Sequence, residues 1–412
     1  MRTWILAALF CVSAGCSAPR GRAATPDVVP RANGDDPGAD PGGVDPGDVS
    51  ESSGHRGFPR LLPASTAGTL SPMRLVVIVA AGDPMQNDLF AFADAAITSD
   101  WYKTVTAEYG VLPPTAPAVH LTGAPLPTVT PALTSDAVAA YVNATLAATT
   151  NAPTPDGKTL YLVYLPPGVS LENNVLCKGP GAAAYHLPFG DGGDGFAVVQ
   201  RCQIGFETQL QQLTVVGSHE IAEAATDTGA GWRVAIPPST VPVWMSDPWL
   251  EYEDNRVTEN GDLCIDTRIL EGGYYYQRAF SNAAAAAGGD PCVPSLGLPY
   301  YAATTDKAWY SGIPGETMRI LVSGWSTAPM DDWVVRARVQ EVSRVGAAWS
   351  AAQGAPALND GKAVSFTITI PADATPGDWA SFYLLAEHLD AQKHVLPGDD
   401  YAHLQMFGVY VR

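Results

Sequence analysis

Hydrophobic and polar positions follow patterns that predict a mixed helix-and-strand domain over residues 71–312. Continuous apolar runs predict buried strands, whereas apolar residues spaced three or four apart predict amphipathic helices. These patterns place strands at 75–81, 159–165 and 196–200, helices at 90–109, 135–149 and 206–225, and a glycine-rich loop at 179–195. Because helices and strands are intermixed, we expect an α+β domain.

A second pattern begins after residue 313. Residues 363–370 alternate apolar and polar side chains, and turn signals such as Asn359-Asp360-Gly361 separate this run from its neighbours. Similar runs lie at 317–325, 333–342, 381–388 and 403–411. We therefore expect an all-β immunoglobulin-like sandwich over 313–412, which by analogy would serve as a spacer or docking module.

Residues 1–16 have the features of an export signal. Arg2 supplies a positive charge, residues 4–12 are apolar, and small residues precede Cys16. The end of this segment resembles a bacterial lipobox, whose cysteine is lipidated, although Ser13 stands where an aliphatic residue is usual. We expect a lipid anchor at Cys16 and a place in the cell envelope, with plain secretion as the alternative.

Residues 17–70 are predicted to be a disordered linker rich in Pro, Gly and Asp. Such a composition buries too little apolar surface to offset the entropy lost on ordering. No other segment is long and apolar enough to span a bilayer, so membrane contact is expected through the N-terminal lipid only.

The charge balance excludes one class of partner. The chain has 23 Lys and Arg residues against 42 Asp and Glu residues, a formal net charge of -19. Nucleic-acid binding depends on clustered cations, so no nucleic-acid partner is expected. Solubility outside the cell explains the acidity without invoking a partner.

The cysteines agree with export. Four remain beyond the signal region, and an even number in an oxidising compartment suggests two disulfides. Three pairings are possible, and nearest-neighbour pairing closes the shortest loops. That pairing would join Cys177 to Cys202 and Cys264 to Cys292.

One segment could carry chemistry, the helical stretch that contains His219, Glu220 and Glu223. Residues four apart share a helix face, so His219 and Glu223 can bind one cation together. In zinc peptidases a His-Glu-x-x-His helix supplies two metal ligands, and its Glu acts as general base. Here Glu223 replaces the second His, which zinc accepts, and Glu220 is the candidate base.

A third ligand is needed, and several acidic residues are candidates. Asp227 becomes eligible only if the helix ends before it, since a continuous helix would carry it about 12 Å along the axis. Glu259 and Asp262 lie near Cys264 and are the other source. His186 sits in the glycine-rich loop and could approach the site.

A series of short motifs lies in a fixed order over residues 73–295, namely Trp101, Tyr109-Gly110, 160–165, Cys177, Tyr185-His186, 196–202, 218–227, Gly231-Trp232, 259–264 and Ser281-Asn282 through Cys292. In this order they resemble the plant EXORDIUM / phosphate-induced protein 1 family and its microbial secreted relatives. Two positions depart from the family's pattern, Thr228 for the usual Pro and Asn260 for an aliphatic residue. The resemblance implies an extracellular protein with a zincin-like helix.

Two functions follow from these residues. The first is a metal-dependent, peptidase-like hydrolase with bound Zn²⁺ that acts on a peptide or cell-envelope substrate. The second is a non-catalytic surface or adhesion protein, in which the same residues form a structural metal site or a hydrogen-bonded knot. Ca²⁺ fits the second if oxygen ligands outnumber His219.

Overall fold

The structure, a computed structural model, describes residues 60–412 except 64–67, 127–131, 173–183, 191–192, 203–207, 229–231, 236–256, 265–266, 306–308, 345–346, 352–356, 360 and 389–402. The predicted signal peptide, the lipidation site Cys16, most of the predicted linker and Cys177 lie outside these residues. None of the described helices is long and apolar enough to cross a membrane.

The first unit is built around a mixed sheet with the strand order β3-β2-β4-β6-β5. The first four of these strands are parallel, and β5 runs antiparallel at the edge. The strands of the unit are β1 (Arg60–Pro63), β2 (Arg74–Ala80), β3 (Val119–Gly123), β4 (Thr159–Tyr164), β5 (Ala184–Phe189), β6 (Asp194–Val199), β7 (Trp232–Ala235), β8 (Val257–Thr258), β9 (Arg268–Glu271), β10 (Tyr274–Gln277), β11 (Ala279–Phe280) and β12 (Cys292–Val293).

Helices cover both faces of this sheet, which explains why every residue of β4 is buried. Helices α1, α2 and α4 pack on one face, and α3 packs on the other. The helices are α1 (Gln86–Thr98), α2 (Asp100–Ala107), α3 (Ser135–Ala148), α4 (Gln209–Thr226) and α5 (Asn282–Ala286), and Asp262–Cys264 forms a short 3-10 helix.

The single helix expected over 90–109 is wrong, because the chain breaks at Ser99. This residue is extended, with φ -65° and ψ 158°, and its hydroxyl accepts the N–H of Tyr102 as the N-cap of α2. The carboxylate of Glu271 accepts the N–H groups of Asp100 and Trp101 at 2.8 and 3.0 Å. These contacts satisfy donors that a helix start leaves open.

The glycine-rich loop expected over 179–195 is also partly wrong, since it contains β5 and the start of β6. The two strands form a hairpin in which Gly190 and Gly193 adopt positive φ. The glycines therefore mark the turn, and the exposed Pro188 is tolerated because β5 is an edge strand.

The linker expected over 17–70 contains a strand at its end. β1 pairs antiparallel with β7, and Leu61 is only 1% exposed. The side chain of Asn282 also bonds the backbone of Leu61 in both directions. Burial of one apolar side chain and pairing with a partner strand therefore order this segment, although its sequence neighbours are polar.

The second unit is a β-sandwich of two sheets, with the orders β13-β15-β19-β17 and β14-β21-β20-β16-β18. A single apolar cluster fills the space between them. Strands β13 and β14 precede residue 313, where strands were expected to begin. The strands are β13 (Tyr301–Thr305), β14 (Trp309–Gly312), β15 (Thr317–Ser326), β16 (Trp333–Val342), β17 (Ser350–Ala351), β18 (Ala357–Leu358), β19 (Ala363–Thr369), β20 (Trp379–His388) and β21 (His403–Val411).

Candidate metal centre

Helix α4 carries the predicted motif through the interior of the first unit. Thr208 caps its start, and the close approach of Gly217 to the hydroxyl of Tyr164 lets the helix pack against the sheet. His219 and Glu223 share a helix face as predicted, with Nε2 and Oε2 3.0 Å apart.

Asp262 completes a group of three ligands with these two residues. Its N–H donates to Glu223 Oε1 at 3.0 Å, and its Oδ1 lies 3.8 Å from His219 Nε2. Ligand atoms of His219, Glu223 and Asp262 all lie within 4.8 Å of one another. The neighbouring Gly261 is required for this approach, because a Cβ there would stand 2.7 Å from Glu223 Oε1 and 2.9 Å from His219 Nδ1.

His186 forms a second group on the other side of Glu223. It projects from edge strand β5, with Nδ1 3.2 Å from Glu220 Oε2 and 3.7 Å from Glu223 Oε2. Ligand atoms of His186, Glu220 and Glu223 also lie within 4.8 Å of one another. The site therefore contains two groups that could hold a metal ion, and Glu223 belongs to both.

Two further predicted ligands, Asp227 and Glu259, contact the far ring nitrogen of His186. Helix α4 ends at Thr226, so Asp227 lies just past the last helical residue, as its candidacy required. Its backbone carbonyl, however, is the atom that meets His186 Nε2, at 3.1 Å. Glu259 Oε1 lies 3.2 Å from the same nitrogen. Both residues thus contact His186, and the Glu259 side chain is also a hydrogen-bond partner of Glu223.

Gln277 is a member of the site that the sequence did not suggest. It ends β10, and its Nε2 lies 2.7 Å from His219 Nδ1 and 2.8 Å from the carbonyl oxygen of Gly261. Its backbone N–H donates to Ser218 Oγ at 2.8 Å. No spacing in the sequence relates a strand end to a helix 58 residues away, so no signal could have identified it.

Burial and charge shift the titration of the cluster in opposite directions. Burial lowers the pKa of His219, but the carboxylates of Glu223, Glu220 and Asp262 outweigh it and raise that pKa to about 10. In the same way Glu259, Glu220 and Glu223 hold the pKa of His186 well above its usual value.

The pKa values of the two glutamates of the motif shift in opposite directions. Burial raises the pKa of Glu220. It acts on Glu223 as well, but the charge of His219 overcomes it and lowers the pKa of that carboxyl. Neighbouring carboxyls with divergent pKa values are frequent at functional sites.

The donor set fits a divalent cation. Among the described residues, Glu220 Oε1 is buried and accepts no hydrogen bond. A buried carboxylate oxygen without a partner is costly, and a cation between the carboxylates and the imidazoles would remove that cost. Imidazole and carboxylate ligands suit zinc, and the oxygen atoms also suit harder cations.

The predicted disulfide between Cys264 and Cys292 is confirmed. It closes a loop that begins in the 3-10 helix of Asp262 and ends in β12, so it braces the ligand-bearing segment. Cys202 is disulfide-bonded, while its predicted partner Cys177 lies outside the described residues.

No family model matches the chain, and no curated protein matches it by sequence. WR4, a C. elegans member of the MSP family, covers 28% of this chain and 100% of its own, with 5% identity and a TM-score of 0.22. A PapD-like domain of human CEP192 covers 29% and 89%, with 13% identity and a TM-score of 0.21. A nucleoside hydrolase-related protein from Saccharophagus degradans covers 84% and 100%, with 11% identity and a TM-score of 0.27. Likenesses at these scores carry no functional argument.

Proposed function

We propose that the protein is an exported, lipid-anchored, metal-dependent hydrolase whose helix α4 acts as a zincin-like helix. The observation that carries the proposal is the convergence of His219, Glu223 and Asp262, whose ligand atoms lie within 4.8 Å of one another. One imidazole and two carboxylates form a donor set that zinc accepts. A Zn²⁺ ion is therefore the cofactor we propose.

When bound, a divalent cation would polarise a carbonyl group and lower the pKa of a water molecule. Glu220 would take a proton from the attacking water molecule and deliver it to the leaving group. Its Oε1 is buried and accepts no hydrogen bond from the described residues, so this oxygen is available to take a proton. Glu223 would hold its position through the bond that Asp262 N–H donates to its Oε1.

The remaining parts of the proposal come from the sequence. The lipobox-like segment before Cys16 supports anchoring to the cell envelope. The order of motifs over 73–295 supports a relationship to the EXORDIUM family. A peptide or another envelope component is the substrate class that suits an anchored enzyme of this kind.

The test compares the full-length wild type with Glu220→Gln and with Glu172→Gln, which changes an exposed glutamate as a matched control. Zinc content and turnover of casein are measured on each folded protein. We expect zinc in all three, turnover in the wild type and the control, and at least a hundredfold loss in Glu220→Gln, the order of magnitude of general-base catalysis. Full activity in Glu220→Gln would contradict the assignment.

Burial favours a second candidate function, a closed structural site in a non-catalytic surface protein. His219 and Asp262 are 5% and 6% exposed, and Glu220 and Glu223 are 0% exposed. Such a site would bind Zn²⁺ or Ca²⁺ and stabilise the fold, and none of the three proteins would turn over casein. Loss of melting temperature on chelation, together with absence of turnover in the wild type, would select this function.

A further inference from the structure

We infer that the cluster holds a second divalent cation, bound by His186, Glu220 and Glu223, so that Glu223 Oε2 is shared by two ion positions. The inference rests on the proposed function at one point, which is that His219, Glu223 and Asp262 bind the first ion. Neither His186 nor a second ion is expected from the His-Glu-x-x-Glu motif.

The distances separate two positions. Each group of mutually close ligand atoms contains one histidine, and the two groups share Glu223 alone. Glu223 Oε2 lies 3.0 Å from His219 Nε2 and 3.7 Å from His186 Nδ1. Its other oxygen is engaged by the N–H of Asp262. Glu223 can therefore serve both positions through one oxygen atom.

The hydrogen bonds of His186 identify which ring nitrogen would bind the ion. Its Nε2 faces two acceptors, the Asp227 carbonyl at 3.1 Å and Glu259 Oε1 at 3.2 Å. A hydrogen on Nε2 satisfies these acceptors, and a cation that displaces the hydrogen from Nδ1 would meet the lone pair of that nitrogen beside Glu220 Oε2. A histidine that gives its far N–H to a carbonyl or carboxylate is the usual arrangement behind a metal ligand.

Without a cation, these atoms repel one another unless a proton intervenes. His186 Nδ1 and Glu220 Oε2 lie 3.2 Å apart in a buried place, so a proton or a cation must lie between them. The second oxygen of Glu220 accepts no hydrogen bond from the described residues. A cation bound between Glu220, Glu223 and His186 would satisfy all of them at once.

Charge balance points the same way. Four carboxylates lie within 3.8 Å of a histidine nitrogen, those of Glu220, Glu223, Glu259 and Asp262. If both histidines are neutral ligands, the four negative charges are matched by two divalent cations. One divalent cation would leave the cluster with an excess of one negative charge even with the other histidine protonated, which is costly in a buried site.

The second position changes what Glu220 does. Its Oε2 would bind the ion beside His186, and its Oε1, which accepts no hydrogen bond from the described residues, would be left to take the proton. Sites with two metal ions about 3.5–4 Å apart are known in hydrolases, where the ions together stabilise the attacking and leaving oxygens.

The test measures zinc bound per chain after the metal-stripped full-length protein is dialysed against buffered Zn²⁺. The variants are His186→Asn, His219→Asn and, as a matched control, His120→Asn, which changes an exposed histidine. We expect two Zn²⁺ per chain in the wild type and in His120→Asn. We expect one Zn²⁺ per chain in His186→Asn and in His219→Asn. Circular dichroism verifies that each variant is folded.

A measurement on the wild type alone guards against a variant that fails to fold. Two Mn²⁺ ions that share one carboxylate oxygen are magnetically coupled, so the electron paramagnetic resonance spectrum of the loaded protein should differ from that of isolated Mn²⁺. One Zn²⁺ in both the wild type and His186→Asn, with an uncoupled Mn²⁺ spectrum, would overturn the inference and leave the proposed function standing. Absence of bound metal in the wild type would overturn both, with a proton between His186 and Glu220 in place of the ion.

Discussion

Glu223 is the residue on which the candidate centre depends. It is 0% exposed, it accepts the N–H of Asp262, and its other oxygen faces a histidine on each side. A histidine at this position, as in zinc peptidases, would offer one ligand nitrogen and could not serve both neighbours. The replacement of the second His of the zinc-peptidase motif by Glu223 is therefore compatible with a site in which two ions share one carboxylate.

The absence of a side chain at Gly261 should be required for zinc binding. Gly261→Ala would introduce a Cβ 2.7 Å from Glu223 Oε1, so one of the two must shift and the ligands lose their arrangement. We expect zinc affinity to fall by roughly tenfold or more, as for other changes that disturb ligand support. Titration calorimetry with Zn²⁺ measures it. Gly289→Ala, where a Cβ meets nothing within 4 Å, should bind as the wild type, and equal affinities in both variants would contradict the prediction.

Single residues of the centre were predictable only where local spacing determines their placement. His219 and Glu223 share a face because they lie four apart on one helix. His186, Glu259 and Gln277 reach the helix from strands and loops distant in the chain, so their contacts depend on the tertiary fold. The role of His186 could only be suspected, and that of Gln277 could not be foreseen.

At the scale of elements, burial explains both the successes and the errors of the sequence patterns. Strands β2 and β4 and helices α3 and α4 were predicted because a covered sheet and amphipathic helices leave clear hydrophobic patterns. The break at Ser99 was missed because its cause is capping, by its own hydroxyl and by Glu271 from a hairpin far along the chain. β1 was missed because pairing with β7 is a long-range contact.

The strand β1 should contribute measurably to stability. Leu61 is 1% exposed and packs in a cluster with Tyr109, Leu263 and Phe280. We expect Leu61→Ala to lower the free energy of unfolding by about 2–4 kcal/mol, the usual cost of such a cavity. Urea denaturation measures it, and Leu112→Ala, which truncates a side chain that is 60% exposed, is the control. Equal free energies of unfolding for Leu61→Ala and the wild type would mean that β1 is dispensable, as expected of a linker.

The buried Glu387 of strand β20 predicts that the stability of the sandwich depends on pH. Burial raises its pKa, although Arg336 opposes the shift from 3.0 Å. A folded pKa above the unfolded value means that the folded state binds more protons, so stability falls as pH rises from about 4.5. We expect Glu387→Gln to gain stability relative to the wild type between pH 4.5 and 7, as measured by urea denaturation. A relative loss of stability over that interval would show that the ion pair with Arg336 outweighs burial.

At the scale of the molecule, the two units meet next to the disulfide. Phe280, Cys264 and Cys292 belong to the same buried cluster as Tyr300 and Ala302, which lead into the sandwich. The Tyr300 ring also lies 5.1 Å from that of Trp325 on β15. The sandwich is therefore packed directly on the segment that carries Asp262. The sequence pattern indicated two units, but it could not indicate this contact.

The account depends on cation binding by the buried histidines and carboxylates, and anomalous diffraction at the zinc edge from crystals grown with Zn²⁺ tests it most directly. It predicts two peaks about 3.5–4 Å apart on either side of Glu223, each roughly 2.0–2.1 Å from its histidine nitrogen. A map without anomalous density beside Glu223, in which His219 and His186 bond directly to the carboxylates, would contradict it.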